Sequence, residues 1–346
     1  MFRVGLTRDF LAPDGSFAYR DIGFGLLDQA RGVKYEFLAE DTRELSAEQV
    51  RGYDALLVMV PKVTAATLKG ADQLAVVARF GVGYDTVDVD ACTEQGVLLT
   101  ITPDGVRRPV ATAVIAFLLA LSHKLFAKDA LTRAGRWAEK PAYMGIGLTG
   151  RVLGVVGFGN IGREVAALAK PFDLRIIAAD PYVTREQAAA AGAELVSLDT
   201  LLRTADFVSV NCALTPETRH LINAERLALM KPTAFLINTS RGPVVDQRAL
   251  TTVLRERRIQ GAALDVFEKE PPDPADPIFR LDNVIVAPHA ICWTDECFRE
   301  NGRSACESIL DVAAGRLPRH IVNRAVLDTP RLQAKLRRYR EPAEGR

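Results

Sequence analysis

The sequence predicts an α/β protein built from two doubly wound parallel-sheet domains. Three observations carry that reading. Short β-branched and apolar runs alternate with helical patterns along most of the chain, as parallel strands and their crossover helices do. One glycine-spaced turn ends such a strand and opens the helix after it. At 346 residues the chain is also too long for one ordinary core, so two domains are expected.

The elements follow in order. FRVGL, KYEFLA, ALLVMV, LAVVARF and VLLTI read as strands of the first part, and none ends in a glycine fingerprint. That part is expected to be the smaller, flavodoxin-like domain, without a nucleotide. Residues 109–135, PVATAVIAFLLALSHKLFAKDALTRAG, read as one long apolar helix connecting the domains, buried and suited to a subunit interface. From Arg151 the signals strengthen. RVLGVVGFG (151–159) is a buried strand ending in glycines, and helix IGREVAALAK follows, stopped by Pro171. RIIAAD (175–180), FVSV (207–210), AFLIN (234–238), GAALDVF (261–267) and NVIVA (283–287) read as further buried strands. With the amphipathic TTVLRERR (251–258) as a helix between two of them, this block has the size of a complete Rossmann domain. ECFRENGRSACESILDVAAG (296–315) reads as a helix closed by Gly315 and Pro318. The expected division is 1–102 with 290–346 as a discontinuous substrate-binding domain, and 103–289 as the dinucleotide-binding domain.

Composition narrows the partners. Hydrophobic residues make up 48% and charged ones 25%, ordinary for a globular protein, and the formal charge is +1. No global field therefore points to nucleic acid or to an anionic membrane. The tail RLQAKLRRYREPAEGR, from Arg331, is locally basic and reads as a solvated or frayed terminus, with an interaction tail as the alternative. No apolar run reaches the roughly 18 residues of a membrane span, and VATAVIAFLLALS (110–122) comes closest. The start MFRVGLTRDF has no signal-peptide core, so a cytoplasmic chain is expected. The five cysteines make no disulfide framework. His289, Cys292, Cys297 and Cys306 lie close in sequence but lack the paired C-x2-C spacing of zinc sites, so no metal is expected.

The cofactor signal is VVGFGNIGREV, with Gly157, Gly159 and Gly162 in G-x-G-x-x-G spacing. Gly157 permits a tight turn, Gly159 lets the backbone approach a pyrophosphate, and Gly162 lets helix and strand pack closely. The free N–H groups and dipole of the helix start favour phosphate charge. Asp180 ends the next strand, where a carboxylate accepts bonds from the adenosine ribose and repels a 2′-phosphate, and no arginine follows it directly. NAD is expected over NADP.

Three further segments each end a predicted strand and should lie along the carboxyl edge of the same sheet: NTSRGPVVD (238–246), LDVFEKEPP (264–272) and APHAICW (287–293). Each offers one functional group. Arg241 has a planar guanidinium suited to bidentate capture of a carboxylate. Glu270 brings a carboxylate and His289 an imidazole.

The order G-x-G-x-x-G, Asp, N-T-S-R-G, D-V-F-x-x-E-P, P-H resembles the D-isomer-specific 2-hydroxyacid dehydrogenase family. FGVGYDTVD (80–88) and LTPETRHLIN (214–223) extend the resemblance, which runs from about residue 75 to 325. It implies an oxidoreductase interconverting a small-molecule 2-keto acid and a D-2-hydroxy acid with NAD, in a cleft between two domains of a homodimer. By motif, Arg241 is the substrate-binding arginine, His289 the acid/base and Glu270 its partner. Asn160 and Ile161 would cover the pyrophosphate, and Cys212, Thr218 and Thr239 would line the cofactor, though Cys212 also suits a small core residue. Asp265 resembles the residue near the nicotinamide amide, or makes a structural hydrogen bond. Val82 and Gly83 would offer backbone N–H groups to the substrate carboxylate, or form a turn with no ligand.

The chemistry agrees. Reducing a 2-keto acid needs hydride at C2 and a proton on the emerging alkoxide. Arg241 would hold the carboxylate and polarise the keto oxygen while His289 donates the proton. Glu270, on the other ring nitrogen, would fix the tautomer and favour the imidazolium form.

The chain also departs from the family. Members that oxidise phosphoglycerate have a basic R-S-x-T-like loop where this chain reads VPKVT (60–64), retaining only Lys62. Arg107 and Arg108 would partly compensate, or are solvated at a helix start. Val110-Ala111-Thr112 stands for the common V-A-E, and Cys292-Trp293 replaces small residues. Glu270 argues against the formate-oxidising members, which use glutamine there, and no regulatory domain is expected after residue 325. The same family contains transcriptional corepressors, so an NAD(H)-sensing binding protein without significant turnover is the rival reading.

Overall fold

The computed structural model describes residues 1–340. The chain divides into two compact units, Met1–Val106 with the segment from Trp293 onward, and Arg107–Cys292. The divisions fall a few residues beyond the expected 102/103 and 289/290.

The first unit is a five-stranded parallel sheet of β1 (Phe2–Leu6), β2 (Val33–Phe37), β3 (Ala55–Val58), β4 (Val76–Arg79) and β5 (Leu98–Thr100), in the order β2-β1-β3-β4-β5. Alternate residues feed opposite cores, as the period of two requires. Ala55 and Leu57 of β3 join Val4, Leu6, Phe298 and Ile309 on one face, while Leu56 and Val58 join Val63, Leu68 and Leu99 on the other. Asp295–Ala313 forms a helix capped by Thr294, whose side chain accepts from the Cys297 N–H.

The tail corrects one expectation. Pro330–Arg340 is a helix rather than a frayed terminus, with Leu332 and Leu336 buried in the first unit's core. The Lys335 ammonium donates to the carbonyls of Leu74 and Gln95, each at 2.7 Å, and of Gly96 at 3.3 Å. Burial pushes that ammonium down to about 8, with Arg331 and Arg338 adding repulsion against the opposing charge of Asp72. The basic pattern concealed an i, i+4 apolar pair bracketing a lysine that caps three carbonyls. Residues 341–346 of the predicted tail lie outside the described residues.

The second unit is a seven-stranded parallel sheet of β6 (Val152–Val156), β7 (Arg175–Ala179), β8 (Glu194–Leu195), β9 (Phe207–Val210), β10 (Phe235–Asn238), β11 (Gly261–Leu264) and β12 (Val284–Val286). Its order is β12-β11-β10-β9-β6-β7-β8. The chain runs outward from β6 to β8, then returns to β9 on the other side of β6, which makes the end of β6 the topological switch point. Helices cover both faces. Val152 and Val156 pack with Leu201 and Leu202, whereas Leu153 and Val155 pack with Val165 and Ala166 of the helix Asn160–Ala169. The two-residue β8 at the sheet edge carries too little apolar sequence to have been anticipated.

The long apolar helix is a second correction. It begins earlier than expected and is broken: Pro103–Ser122 is one helix, Leu125–Arg133 another, and Lys124 between them has φ 51°. The following chain returns against the break, where the Ile146 N–H donates to the Ser122 carbonyl at 2.8 Å. Pro103–Ser122 is long and apolar enough to cross a bilayer by composition, yet Ala111, Val114, Phe117, Leu118 and Leu121 are buried in the second unit's core. The helix expected at 251–258 runs from Gln247 to Arg255, because Asp246 caps it by accepting from the Ala249 N–H at 2.9 Å.

Candidate active site

The turn after β6 has the shape of a dinucleotide cradle. Gly157 has φ +86°, and a Cβ there would lie 2.6 Å from the Cys212 nitrogen, so only glycine fits. A Cβ on Gly162 would meet the Gly157 carbonyl oxygen at 2.3 Å, which is why helix and strand approach so closely. At Gly159 a Cβ would meet nothing within 4 Å, leaving the backbone open to an incoming group. Gly159 is also the cap residue of the helix Asn160–Ala169, so Asn160 and Ile161 present first-turn N–H groups beside that space.

Asp180 ends β7 as expected, and both carboxylate oxygens are held. Oδ2 accepts from the Phe158 N–H at 2.7 Å and Oδ1 from the Tyr182 N–H at 2.8 Å. This fixes the carboxylate against the glycine turn. Cys212, on the far side of Gly157, is half-buried, and burial pushes its thiol up to about 11, so it is a neutral surface rather than a nucleophile. Thr218 is spent locally: its hydroxyl donates to the Ala213 carbonyl and accepts from the Thr215 N–H, each at 2.7 Å. The Thr239 hydroxyl is buried with no hydrogen-bond partner, an orphaned group at the end of β10 that a bound ligand would satisfy. Open backbone at Gly159, a fixed carboxylate at Asp180 and this hydroxyl fit an adenine dinucleotide.

The three catalytic candidates lie at the carboxyl ends of three adjacent strands, β10, β11 and β12. The Nδ1–H of His289 donates to Oε2 of Glu270 at 2.7 Å. Oε1 of Glu270 accepts from the Phe267 N–H at 3.0 Å. Burial raises the Glu270 pKa, but the His289 hydrogen bond and charge, the Phe267 N–H and the Arg241 charge together hold the carboxyl below the ordinary glutamate range. Arg241 is half-buried, with Nη1 donating to the Ser240 carbonyl at 2.8 Å and its own carbonyl accepting from the Asn238 amide at 3.0 Å. Phe267, Pro271, Pro272, Phe279, Val286 and Pro288 line an apolar cleft on which the His289–Glu270 pair opens. Such walls strengthen the pair's electrostatics relative to water.

Asp265 has a part that sequence reasoning left undecided. It is buried, and Oδ1 accepts from the N–H groups of Ala290 at 2.9 Å and Ile291 at 3.1 Å. Burial raises its pKa against those donors and the His289 charge. The carboxylate thereby fixes the turn beyond His289, whose φ is 57°, a left-handed conformation unusual for a side-chain-bearing residue. Sequence reasoning missed a second contact of the same kind, His220 Nε2 to Glu268 Oε1 at 2.7 Å. Both residues sit inside quoted motifs, but nothing in one dimension pairs them.

Other candidates resolve within their own units. In the first, the turn bearing Val82 and Gly83 is hung from Thr102, whose hydroxyl accepts from the Gly81 N–H at 2.8 Å and donates to Asn301 at 2.7 Å. Lys62 is exposed. Trp293 packs edge-on against Tyr19 and Phe298, with ring centroids at 5.6 Å and 5.2 Å. In the second unit, Arg107 and Arg108 pair with Glu164 at 3.7 Å and 2.7 Å. No group of three His, Cys, Asp or Glu side chains able to hold a metal occurs among the described residues.

Known proteins similar to this chain point to one family. The family model described as D-isomer specific 2-hydroxyacid dehydrogenase, NAD binding domain, matches residues 115–290. A glyoxylate reductase of Thermococcus litoralis is 39% identical over 82% of this chain and 88% of its own length. A D-3-phosphoglycerate dehydrogenase of Methanocaldococcus jannaschii is also 39% identical, over 88% of this chain but 58% of its own length, so this chain spans little more than half of that relative. Among solved structures, D-lactate dehydrogenase of Aquifex aeolicus, complexed with NAD and lactic acid, superposes with a TM-score of 0.77 at 27% identity, covering 89% of this chain and 94% of that one.

Proposed function

Since the chain belongs to the D-isomer-specific 2-hydroxyacid dehydrogenase family, with NAD as its cofactor, we propose that it reduces a small, unphosphorylated 2-keto acid to the D-2-hydroxy acid. The observation that carries this reading is the 2.7 Å His289–Glu270 contact on strand ends adjacent to Arg241. NADH, when bound, would supply the hydride that C2 takes up. Arg241 holds the substrate carboxylate in a planar, bidentate grip and polarises the keto oxygen. Glu270 occupies Nδ1 of His289, so Nε2 is the ring nitrogen that passes its proton to the alkoxide as it forms. A general acid of this kind contributes about 10²–10⁴-fold in rate. Asp265 keeps the imidazole in place by holding the next two amides. Asn160 and Ile161 would hold the pyrophosphate, Asp180 the adenosine ribose, and Thr239 would line the cofactor.

An unphosphorylated substrate is favoured because Arg107 and Arg108 are engaged by Glu164 and the VPKVT loop offers Lys62 alone. The match to the Thermococcus litoralis glyoxylate reductase also spans 88% of that relative's length. A homodimer belongs to the same reading, supported by the exposed apolar side chains Leu125, Phe126, Trp137 and Met144 within one short segment. The test is NADH oxidation against glyoxylate, hydroxypyruvate, phenylpyruvate and 3-phosphohydroxypyruvate, with the chirality of the product determined. Turnover of an unphosphorylated acid to the D-product is expected. NADH binding with no turnover on any of the four would transfer the protein to the NAD(H)-sensing class.

A further inference from the structure

We infer that His220 and Glu268 form a positioning pair that sets the separation of Arg241 and Glu270, a role resting on the reductase reading above. The loop Phe267–Glu270 carries two histidine contacts. Glu270 meets His289, and Glu268, two residues earlier, meets His220 at the same 2.7 Å. His220 comes from the long connection after β9, and it touches both catalytic loops at once. Its backbone N–H donates to the Pro243 carbonyl at 2.8 Å, two residues past Arg241, while its ring reaches Glu268, two residues before Glu270.

The loops it joins are already in direct contact. A Cβ on Gly242 would fall 1.8 Å from the Phe267 carbonyl oxygen and 2.5 Å from the Glu268 nitrogen, so these two backbones lie flush. Gln247 closes the other side, its Oε1 accepting from the Glu268 N–H at 2.9 Å while its amide donates to Asp276 at 2.8 Å. His220 holds φ 50°, so the chain bends into a left-handed conformation to make both contacts. The Phe267 N–H that binds Glu270 is adjacent to the Glu268 N–H that Gln247 holds. Loosening Glu268 therefore releases the Phe267–Glu270 hairpin, and with it the carboxylate aimed at His289. Neither His220 nor Glu268 touches substrate in this scheme.

The experiment compares His220→Ala and His220→Gln in the full chain. The glutamine amide nitrogen replaces Nε2 as a donor to Glu268, so this variant preserves the bridge. Three measurements are made on each: the pH dependence of kcat/KM, the NADH dissociation constant, and the titration of the Glu270 carboxyl by 13C NMR. For His220→Ala, kcat/KM falls about tenfold to a hundredfold, the scale of a small misplacement of reacting groups. NADH affinity stays within about twofold, since the cradle at Gly157–Gly162 is untouched. The Glu270 titration and the acid limb of the rate profile move upward by about half a pH unit or more, because a loosened carboxylate loses donors that favour its charge. His220→Gln returns all three towards the wild type.

An alanine variant with the wild-type profile and Glu270 titration overturns the proposal. So does one whose lost activity follows a lower Tm while Glu270 titrates unchanged, because that is a structural role alone. The NMR titration needs no turnover. If the wild type reduces no keto acid, the reductase reading falls, and the movement of the Glu270 titration still decides whether the pair positions it.

Discussion

Two histidine–glutamate pairs on one loop have the same 2.7 Å contact and different surroundings. His289–Glu270 opens on an apolar cleft, feels the charge of Arg241, and is followed by two amides that Asp265 holds. His220–Glu268 is tied instead to Pro243 through its backbone and to Gln247 at the start of a helix. The contact distance alone cannot tell an acid/base pair from a strut. What separates them is the third group: a neighbouring cation and apolar walls for one, backbone partners on two loops for the other.

Exchanging the pairs' fates would break this comparison most directly. His289→Gln removes the proposed proton donor, and turnover should fall about 10²–10⁴-fold with NADH binding retained. Stopped-flow reduction rates and a fluorescence titration measure the two. A variant keeping more than about a tenth of its rate would remove His289 from the mechanism.

Glu270→Gln should cost less, about 10²-fold, at the lower end of the same range. The carboxyl is held below the ordinary glutamate range, so its contribution is present above that range and disappears as pH falls through the depressed value. Wild-type activity should thus persist through the pH at which an ordinary glutamate takes up its proton. In Glu270→Gln that acid limb should be gone, and an unchanged limb would assign it to another group.

Asp265→Ala sharpens the contrast through the backbone. It strips the N–H groups of Ala290 and Ile291 of their buried acceptor, which costs about 1–3 kcal/mol. Chemical denaturation should show that loss together with reduced turnover. Full stability would mean the turn beyond His289 holds itself.

The smallest effect on catalysis is expected in the other unit. Lys335→Met removes the donor of three carbonyls and should lower stability by about 1–3 kcal/mol while the pH profile of turnover stays as in the wild type. The linkage has a definite sign. Burial lowers the ammonium from 10.5 to about 8, so the folded chain releases this proton first, and the lysine's share of stability rises with pH between those values. The stability difference between wild type and Lys335→Met should therefore grow over that window. A flat difference would mean the ammonium is not buried in solution.

Much of the fold was legible because buried parallel strands are continuous apolar runs. β6, β7, β9, β10, β11 and β12 all fall within segments the pattern marks, although β12, expected to be buried, is an edge strand with Val284 and Ile285 half-buried and Val286 exposed, and the glycine turn sits at the switch point. The misreadings have local causes. Lys124 breaks an apolar helix that composition renders continuous. The basic tail hides Leu332 and Leu336 on one helical face. At the site, Arg241, Glu270 and His289 could be named from motifs because each sits in a loop that follows the carboxyl end of a strand. His220 could not be paired with Glu268, since 48 residues separate them and no pattern of types records the turn that joins them.

The sequence by itself determined every named strand but β8, the dinucleotide turn and the residue types at the sheet's carboxyl edge. Periodicity and glycine spacing are local properties, read within a few residues. Tertiary structure alone decided which nitrogen of His289 Glu270 occupies, that Asp265 holds the turn beyond it, and that a second histidine braces the same loop. Hydrogen bonds act over about 3 Å between residues far apart in the chain. Only the packing of strands into a sheet, with loops flush enough that Gly242 admits no side chain, brings such donors and acceptors together.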